Sequence, residues 1–490
     1  MNILSSFKRH PLATAFVASL LLSLVSLSGL VGPNRDGMLY IETANIFNEE
    51  GLAAAKANFD WVFLPVAIAL FSRLSGLETE LGGYVLNAFL LAGAAASLVA
   101  ITRRQFPEAT TAAVFVAIAL PGLNEYRFDL IRENGYWFLC LLAVAAALRW
   151  RDYRTWTNAL LPQLCLAGAA LFRVEAIVFL PALALWGLTS EASDRGASIR
   201  HAVQLSSLTL LAIAVVGPYL LLHGVELARR LAEYLAAVDP SAEKAKFAAA
   251  TTALAAVLPT YSADEVSSIL FFGLLSIIPA KWLEMLGIFL IPLAYALRPS
   301  RFRERLAAWS LSGYLFLIYL LVLTAFVTYQ LFLTGRYVSF LAILTLPLIA
   351  VGLHDLVARW PRLKWPLIAL CVALALGHVV SLSKDKKTQF REAGQWLASQ
   401  TQMQESIYLD SPRTGYYAGK AYRKQRHIKL KRGQIEEAIR AGRYRYYVFE
   451  VRRKDKELEP WIATLGLREI KRFSNHTGDA VVIFQRAPTP

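Results

Sequence analysis

An acidic residue directly after the first apolar stretch is the first candidate for chemistry. Asp36 follows Arg35, and Tyr40 and Ala44 recur after it at helical spacing. The segment "RDGMLYIETANIFNEEG" therefore predicts an amphipathic helix with Asp36 in its first turn. A carboxylate in that position either caps the helix N-terminus or acts on a substrate as a general base or cation ligand. The residues alone leave both interpretations open.

A second loop carries four charged residues within seven positions. They are Arg127, Asp129, Arg132 and Glu133. One interpretation is a surface cluster of local ion pairs, each worth less than about 1 kcal/mol. The other is that the planar guanidinium groups bind a phosphate while one of the carboxylates supports the reacting group.

Two further pairs interrupt apolar stretches. Arg173 and Glu175 lie in "LFRVEA", and Arg336 and Tyr337 lie in the turn "TGRY". An arginine at the end of an apolar segment commonly anchors to lipid head groups. The alternative is that these arginines and their neighbours bind a phosphate substrate.

The elements that must position these residues are membrane helices. The chain has 490 residues, 56% hydrophobic and 18% charged, whereas soluble domains average about 25% charged residues. Residues 11–34, 83–102, 306–335 and 365–383 contain no Asp, Glu, Lys or Arg, and each can cross about 30 Å of hydrocarbon as a helix. Eleven spans are predicted: 11–32, 83–101, 109–121, 135–149, 156–171, 174–189, 203–223, 282–297, 308–332, 338–354 and 365–382.

The distribution of arginine and lysine orients these spans. With Lys8 and Arg9 inside the cell, every predicted inner loop is basic, as the positive-inside rule requires. Counting either Trp61–Leu74 or Val266–Ala280 alone as a span would place later arginine clusters outside, so we predict both as juxtamembrane helices on the outer face. All the candidate residues then lie on the outer face. Inserting an ionisable side chain to membrane depth costs roughly 2.5–3.5 kcal/mol of free energy. The acidic residues near the ends of the spans are therefore expected to have a functional or structural role.

Residues 384–490 follow a different pattern. Strand-like runs at 406–410, 426–430, 444–451 and 480–485 alternate with amphipathic stretches at 390–400 and 433–441, which predicts a small α/β domain. This segment contains 23 Lys and Arg against 12 Asp and Glu. The predicted organisation is a membrane domain over 1–383 and a soluble outer domain over 384–490.

Several classes of protein are excluded by the sequence. The basic excess lies in short loops and in the tail, which is typical of contact with phospholipid and not with nucleic acid. The chain has no Gly-rich phosphate loop, no nucleophile motif and no His pair with metal spacing. Its three cysteines, Cys140, Cys165 and Cys371, each lie inside an apolar run and predict no disulfide framework. The long first apolar run predicts an uncleaved first span.

This arrangement resembles the GT-C fold of polytopic glycosyltransferases that use polyprenyl-phosphate sugars, a group that includes the lipid A aminoarabinose transferase and the protein mannosyltransferases. The resemblance lies in the first-loop acid and the following Tyr of "RDGMLYIETA", an aromatic and Pro segment like "FDWVFLP", an acid in the second outer loop, and the soluble outer domain. The Arg-x-Glu at Arg173 and a late "RY" at Arg336 also match. The resemblance extends over essentially the whole chain, and each of the motifs that carry it is short.

The resemblance implies a mechanism and a set of site residues. Asp36 would deprotonate the acceptor hydroxyl as it attacks the anomeric carbon, with inversion, and Asp129 would be the second catalytic acid. The leaving phosphate would be neutralised by Arg336, with help from Arg132 or Arg173. The implied substrate-binding set is Arg35, Tyr40, Arg132, Glu133, Arg173, Glu175, Arg336 and Tyr337.

The same resemblance indicates partners and location. The donor is a polyprenyl-phosphate sugar, the acceptor is a glycan, lipid or protein, and the location is a bacterial inner membrane with the tail domain in the periplasm. The family often pairs its first-loop acids, whereas Gly37 follows Asp36 here, so no tightly held metal is predicted and a divalent cation (Mg²⁺ or Mn²⁺) remains an alternative. The competing hypothesis is a carrier or flippase for an anionic lipid-linked sugar. Charges gathered on one face, without an internal repeat, count against it.

Overall fold

The described part of the chain is mostly α-helical, with one small sheet near the C-terminus. The computed structural model describes residues 9–27, 29, 32–189, 195–223, 240–380, 388–400, 407–422 and 430–486. The predicted fold class, a polytopic α-helical membrane protein with a small C-terminal α/β domain, is confirmed.

The chain divides into two compact units. The helical unit comprises Met1–Val25, Asn87–Arg127 and Arg132–Val379. The mixed unit comprises Ser26–Leu86, Phe128–Ile131 and Val380–Pro490. The first-loop segment therefore belongs to the same unit as the C-terminal segment, and the predicted domain boundary at residue 383 stays a prediction.

The helices are numbered in chain order. Up to residue 223 they are α1 Pro11–Leu27, α2 Arg35–Glu50, α3 Leu52–Asn58, α4 Phe63–Ser75, α5 Thr79–Gln105, α6 Thr110–Ala119, α7 Pro121–Asn124, α8 Glu133–Asp152, α9 Trp156–Phe172, α10 Phe179–Thr189 and α11 Arg195–His223. The later ones are α12 Pro240–Ala255, α13 Thr260–Ala263, α14 Val266–Leu286, α15 Leu290–Ala296, α16 Phe302–Ala308, α17 Ser310–Gln330, α18 Gly335–Leu344, α19 Leu346–Arg359, α20 Lys364–Val379, α21 Thr388–Ser399, α22 Pro412–Tyr417, α23 Arg432–Arg440 and α24 Leu458–Ala463. Short 3-10 turns join several of them, at Pro107–Ala109, Val174–Val178, Gly287–Phe289 and Pro361–Leu363.

Among the described residues, five helical segments are long and apolar enough to cross a membrane, and six are if the bent pair α18 and α19 counts as one span. The five are Thr79–Gln105, Arg195–Val215, Val266–Ala296, Ser310–Gln330 and Pro361–Val379. Shorter apolar helices lie at Pro11–Leu27, Phe63–Ser75, Pro107–Ala119, Trp156–Phe172 and Val174–Thr189. Large apolar side chains on such helices are exposed, for example Leu317 (59%) and Leu321 (68%) on α17. Apolar surface of that kind is stable facing lipid and costly facing water.

One predicted element is wrong in its boundaries. Val266–Ala280 is not a separate juxtamembrane helix, because α14 runs without interruption from Val266 to Leu286 and leads through a 3-10 turn into α15. Pro279 lies inside α14, where it removes one backbone hydrogen bond but does not end the helix. The candidate span Val266–Ala296 therefore stands in place of the shorter predicted span at 282–297.

The C-terminal segment forms a four-stranded sheet of order β1-β2-β4-β3. The strands are β1 Ile407–Leu409, β2 Tyr446–Val451, β3 Leu467–Ser474 and β4 Ala480–Arg486. Strand β1 pairs in parallel with β2, and β4 pairs antiparallel with both β2 and β3.

The two faces of this sheet are covered by different helices. On one face Tyr447 and Phe449 pack with Ile435 of α23. On the other face Val448 packs with Phe390 of α21. The alternation of buried residues along β2 follows the two-residue period of a strand covered on both sides.

The sequence pattern missed one strand of the sheet. Strand β3 reads "LREIKRFS", an edge strand with mostly exposed side chains, so its charged composition hides the hydrophobic alternation that marks a strand. The predicted strand at 426–430 lies outside the described residues except for Leu430.

Arg127 is a buried cation that ties the second loop to the first helix. Its Nη1 donates to the Ser19 carbonyl oxygen at 2.7 Å and to the Ser23 hydroxyl at 2.5 Å, and its Nη2 donates to the Asn124 side-chain oxygen. The side chain is 5% exposed. The sequence-based ion-pair interpretation is wrong for this residue, because its partners are hydroxyl, amide and carbonyl oxygens of the helical unit.

Arg127→Gln should therefore destabilise the protein. A hydrogen bond to a charged group contributes about 1.5–3 kcal/mol, and the shorter glutamine side chain cannot reach all these partners. We expect a lower thermal unfolding temperature in detergent, with Arg303→Gln as the control because Arg303 is exposed on α16. Equal unfolding temperatures for the two variants would show that the buried contacts contribute nothing.

Candidate active site

Two predicted site residues, Arg173 and Arg336, both contact a third, the buried carboxylate of Glu133 in the helical unit. Glu133 is the first residue of α8 and its side chain is 5% exposed. Its Oε1 accepts from Arg173 Nη1 at 2.5 Å and lies 3.2 Å from Arg336 Nε. The shared carboxylate fixes the orientation of two guanidinium groups, one from the residue after α9 and one from the first turn of α18.

Glu175 and Tyr337 complete this cluster. Glu175 accepts from Arg173 Nη2 at 2.6 Å and from Arg173 Nε at 3.3 Å, a two-point contact with the guanidinium fork. The Tyr337 ring lies 4.7 Å from the Arg173 guanidinium carbon and 5.3 Å from that of Arg336. Arginine over an aromatic face is a favourable cation–π contact. We call Glu133, Arg173, Glu175, Arg336 and Tyr337 the arginine cluster.

Packed aromatic residues support the arginine cluster. The Tyr319 hydroxyl of α17 donates to the Tyr337 carbonyl oxygen at 2.9 Å. Tyr319 also packs against Phe340 and Phe179, with ring centroids 5.3 and 6.0 Å apart, and Tyr136 lies 5.2 Å from Phe340. A rigid aromatic base of this kind limits the rotamers of the charged residues above it.

The last acid of the second loop is paired with residues that are distant in sequence. Glu133 pairs with Arg173 and Arg336, which are distant in sequence. Arg132 is half-buried at the N-cap of α8. The second loop therefore joins a tertiary network, in which largely buried ion pairs interact more strongly than exposed ones.

Charged residues also gather at the opposite end of α8. Arg104 pairs with Asp152, the last residue of that helix. Arg305, whose side chain is 7% exposed, contacts Glu108 at 3.1 Å and Asp355 at 3.3 Å. These residues lie in or beside the loops that are predicted to face the inside of the cell. The residues of the arginine cluster lie in or beside the loops that are predicted to face outward. A 20-residue helix separates its ends by about 30 Å, so the helical unit has two distinct charged ends.

The first-loop acid lies in the mixed unit, at the N-terminus of α2. Asn34 is the N-cap of this helix, and its side-chain oxygen accepts from the Gly37 backbone N–H at 3.2 Å and from the Leu130 backbone N–H at 3.1 Å. Asp36 is half-buried in the first turn. The N-cap residue of α2 is therefore Asn34 and not Asp36, although a carboxylate in the first turn still interacts favourably with the helix dipole.

The Asn34 contact also places the second predicted acid. Because Asn34 binds the Leu130 backbone, the segment that carries Asp129 is held against the start of α2, and Asp129 is half-buried there. Arg35 is exposed. Tyr40 is 4% exposed and its ring lies 5.7 Å from that of Phe59, so it packs inside this unit.

Sequence reasoning missed several residues that organise these sites. Asn34 escaped notice although Asn before a helix is a common N-cap signal. Tyr319 lies within an uncharged run and gives no local signal. Glu80 also went unnoticed, although an acid at the start of an apolar helix is a recognisable signal.

Within the described ranges, no group of three or more His, Cys, Asp or Glu side chains is placed to hold a metal ion.

No family model and no curated protein sequence matches the chain. Among solved structures, the chain is similar to the crystal structure of ArnT from Cupriavidus metallidurans in the apo state. The similarity covers 96% of this chain and 97% of that chain, with a TM-score of 0.42 and 13% sequence identity.

Proposed function

We propose that the chain is a membrane glycosyltransferase of the GT-C type, which transfers a sugar from a polyprenyl-phosphate donor to an acceptor hydroxyl. The observation that carries the proposal is the arginine cluster, in which Glu133 holds Arg173 and Arg336 through one oxygen. Preorganised guanidinium groups stabilise charge that develops on a leaving phosphate.

The proposed reaction is a single displacement at the anomeric carbon. The acceptor oxygen forms a bond to that carbon while the bond to the phosphate oxygen breaks, and the configuration inverts. Asp36 accepts the acceptor proton, and Arg336 and Arg173, with Arg132, neutralise the departing phosphate. Because the lipid phosphate is the leaving group, no nucleotide is required.

The remaining predicted residues are proposed to support this reaction. Asp129 is the second acid, held beside the start of α2 by the Asn34 contact. Glu175 orients Arg173 through its two-point contact, and Tyr337 provides an aromatic face beside both guanidinium groups. The proposed location is a bacterial inner membrane, with the site and the C-terminal domain on the periplasmic face.

A direct assay separates this proposal from the carrier hypothesis. Purified full-length protein in detergent is given labelled polyprenyl-phosphate sugars and an acceptor extract, and free polyprenyl phosphate is measured by chromatography. An enzyme releases polyprenyl phosphate in step with labelled acceptor, because each transfer breaks one sugar–phosphate bond. Movement of intact donor across proteoliposomes without release of polyprenyl phosphate would overturn the proposal in favour of a carrier.

A further inference from the structure

The sheet of the C-terminal segment has a cavity at one end, within the mixed unit. Its volume is about 290 Å³. It is lined by Asp410, which directly follows β1, and by Glu450 and Arg452 at the end of β2. Because β1 and β2 run parallel, the cavity lies at the carboxyl ends of two neighbouring parallel strands. Open α/β sheets commonly bind their ligands at this edge.

Two helices close the cavity on the face of the sheet that carries Phe449. Helix α23 contributes its first residue, Arg432, and α24 contributes Trp461. Both helices are packed on this face, since Ile435 of α23 and Ile462 of α24 share one buried cluster with Phe449. The wall therefore consists of a sheet and of helices anchored on it, so its shape is set before any ligand binds.

Trp461 has a fixed position in this wall. Its Nε1 donates to Glu436 Oε1 at 2.9 Å, and its ring centroid lies 6.2 Å from that of Phe449. The Arg432 guanidinium carbon lies 5.4 Å from the Trp461 ring centroid. Arg432 Nη1 also lies 3.8 Å from Glu457 Oε2. These contacts hold an aromatic ring and a guanidinium group side by side.

The charged residues of the wall are of both signs. Carboxylates come from Asp410, Glu450 and Asp455, and guanidinium groups come from Arg432 and Arg452. Part of this charge is compensated within the protein, because Arg452 Nε donates to Glu450 Oε1 at 2.9 Å. An anion would meet the carboxylates and a cation would meet the guanidinium groups, each at an electrostatic cost. The wall therefore favours a neutral ligand that both donates and accepts hydrogen bonds.

A sugar has these properties. Each hydroxyl group of a pyranose ring can donate to a carboxylate and accept from a guanidinium group. Its C–H groups can pack on apolar and aromatic parts of the wall, such as Trp461. Ligand pockets typically have volumes of about 300–1,000 Å³, so a cavity of about 290 Å³ suits a ligand as small as a monosaccharide or disaccharide.

We propose that the cavity bounded by β1, β2, α23 and α24 is a carbohydrate-binding site, in which Arg432, Asp455 and Trp461 contact the sugar. All its lining residues come from the C-terminal segment of the mixed unit, whereas the arginine cluster belongs to the helical unit. The site is therefore additional to the proposed active site. Its test measures binding and requires no sugar transfer, so its failure is distinguishable from failure of the proposed function.

The experiment measures sugar binding to full-length protein by saturation-transfer difference NMR. The protein is held in phosphatidylcholine nanodiscs, because detergents with sugar head groups would compete for the site. The sugar probes are D-glucose, D-mannose, D-galactose and maltose, each titrated to obtain a Kd. L-serine and inorganic phosphate are the zwitterionic and anionic comparison probes.

Each variant removes one charged group from the wall. Arg432→Gln and Asp455→Asn change exposed side chains, so both variants should keep the unfolding temperature of the wild type. The matched controls are Arg468→Gln on β3 and Glu437→Gln on α23. Both control residues are exposed and lie outside the wall.

We expect at least one sugar probe to bind the wild type, with a Kd that rises about ten-fold in Arg432→Gln and in Asp455→Asn. Each substitution removes the charge from a hydrogen-bonding partner of the sugar, and hydrogen bonds to charged groups are the stronger ones. The two control variants should bind the same probe like the wild type.

Three results would overturn the site. The first is wild-type protein that binds none of the sugar probes. The second is an unchanged sugar Kd in both wall variants, which would place the bound sugar elsewhere in the protein. The third is binding of L-serine or phosphate, in place of sugar, that is weakened in Arg432→Gln or Asp455→Asn, which would identify a charged ligand.

Discussion

Asp36→Asn is expected to lower sugar transfer by about 10²–10⁴-fold, the contribution typical of a positioned general base. Asparagine has nearly the same shape as aspartate but cannot accept the acceptor proton. The start of α2 should stay intact, because Asn34 makes the capping hydrogen bond to Gly37 and the contact to Leu130. The measurement is the initial rate of polyprenyl phosphate release at saturating donor, together with the thermal unfolding temperature.

A matched control lies on the same helix. Glu50→Gln removes a carboxylate from the exposed last residue of α2 and should leave the rate unchanged. If Asp36→Asn transfers sugar at a near-wild-type rate, Asp36 serves only the helix dipole and the assignment of the base is wrong. If it loses both activity and folding, the rate carries no information and Asp36→Glu, which keeps the carboxylate, replaces it.

Arg336→Gln is expected to lower kcat by about 10²–10³-fold, the usual effect of removing one donor that stabilises a developing anion. Arg336 Nε lies 3.2 Å from the buried carboxylate of Glu133, so its guanidinium is already oriented before substrate binds. Arg336→Lys should recover only part of the rate, because an ammonium supplies the charge without the planar fork. Single-turnover rates of donor consumption are the appropriate measurement.

The control for this series is an arginine at the other charged end. Arg301→Gln breaks an exposed pair with Glu304 at 2.8 Å, and exposed pairs contribute little to stability. It should leave both rate and unfolding temperature unchanged. Equal turnover by Arg336→Gln and wild type would remove the arginine cluster from the reaction and leave it a structural ion-pair network.

The helices could be predicted from the sequence because their signal is local. Uncharged runs such as 306–335 identified α17, and the spacing after Asp36 identified α2. The prediction was wrong at Val266–Ala280. The positions of the charged loops suggested a helix boundary near residue 280, but α14 continues through it to Leu286. The prediction failed again at β3, because an exposed edge strand does not need the alternation by which strands are recognised.

The candidate site was less predictable than the helices. The residue types of the arginine cluster were identified, since charged residues that interrupt apolar runs stand out. Their partners were not, because Glu133 seemed paired with its sequence neighbours and contacts Arg173, 40 positions away, instead. Asn34, and not Asp36, is the N-cap of α2. Its backbone is extended, and its side-chain oxygen can therefore accept a hydrogen bond from the Gly37 N–H.

The sequence by itself determined that this protein is a bundle of membrane helices with a basic α/β tail. A helix satisfies its backbone hydrogen bonds internally, so a long apolar run in lipid has one stable conformation whatever its neighbours are. Only the tertiary structure decided which charges meet. An arginine contacts its carboxylate through tertiary packing, and Arg173, Glu133 and Arg336 come from separate segments of the chain whose contacts no local pattern encodes.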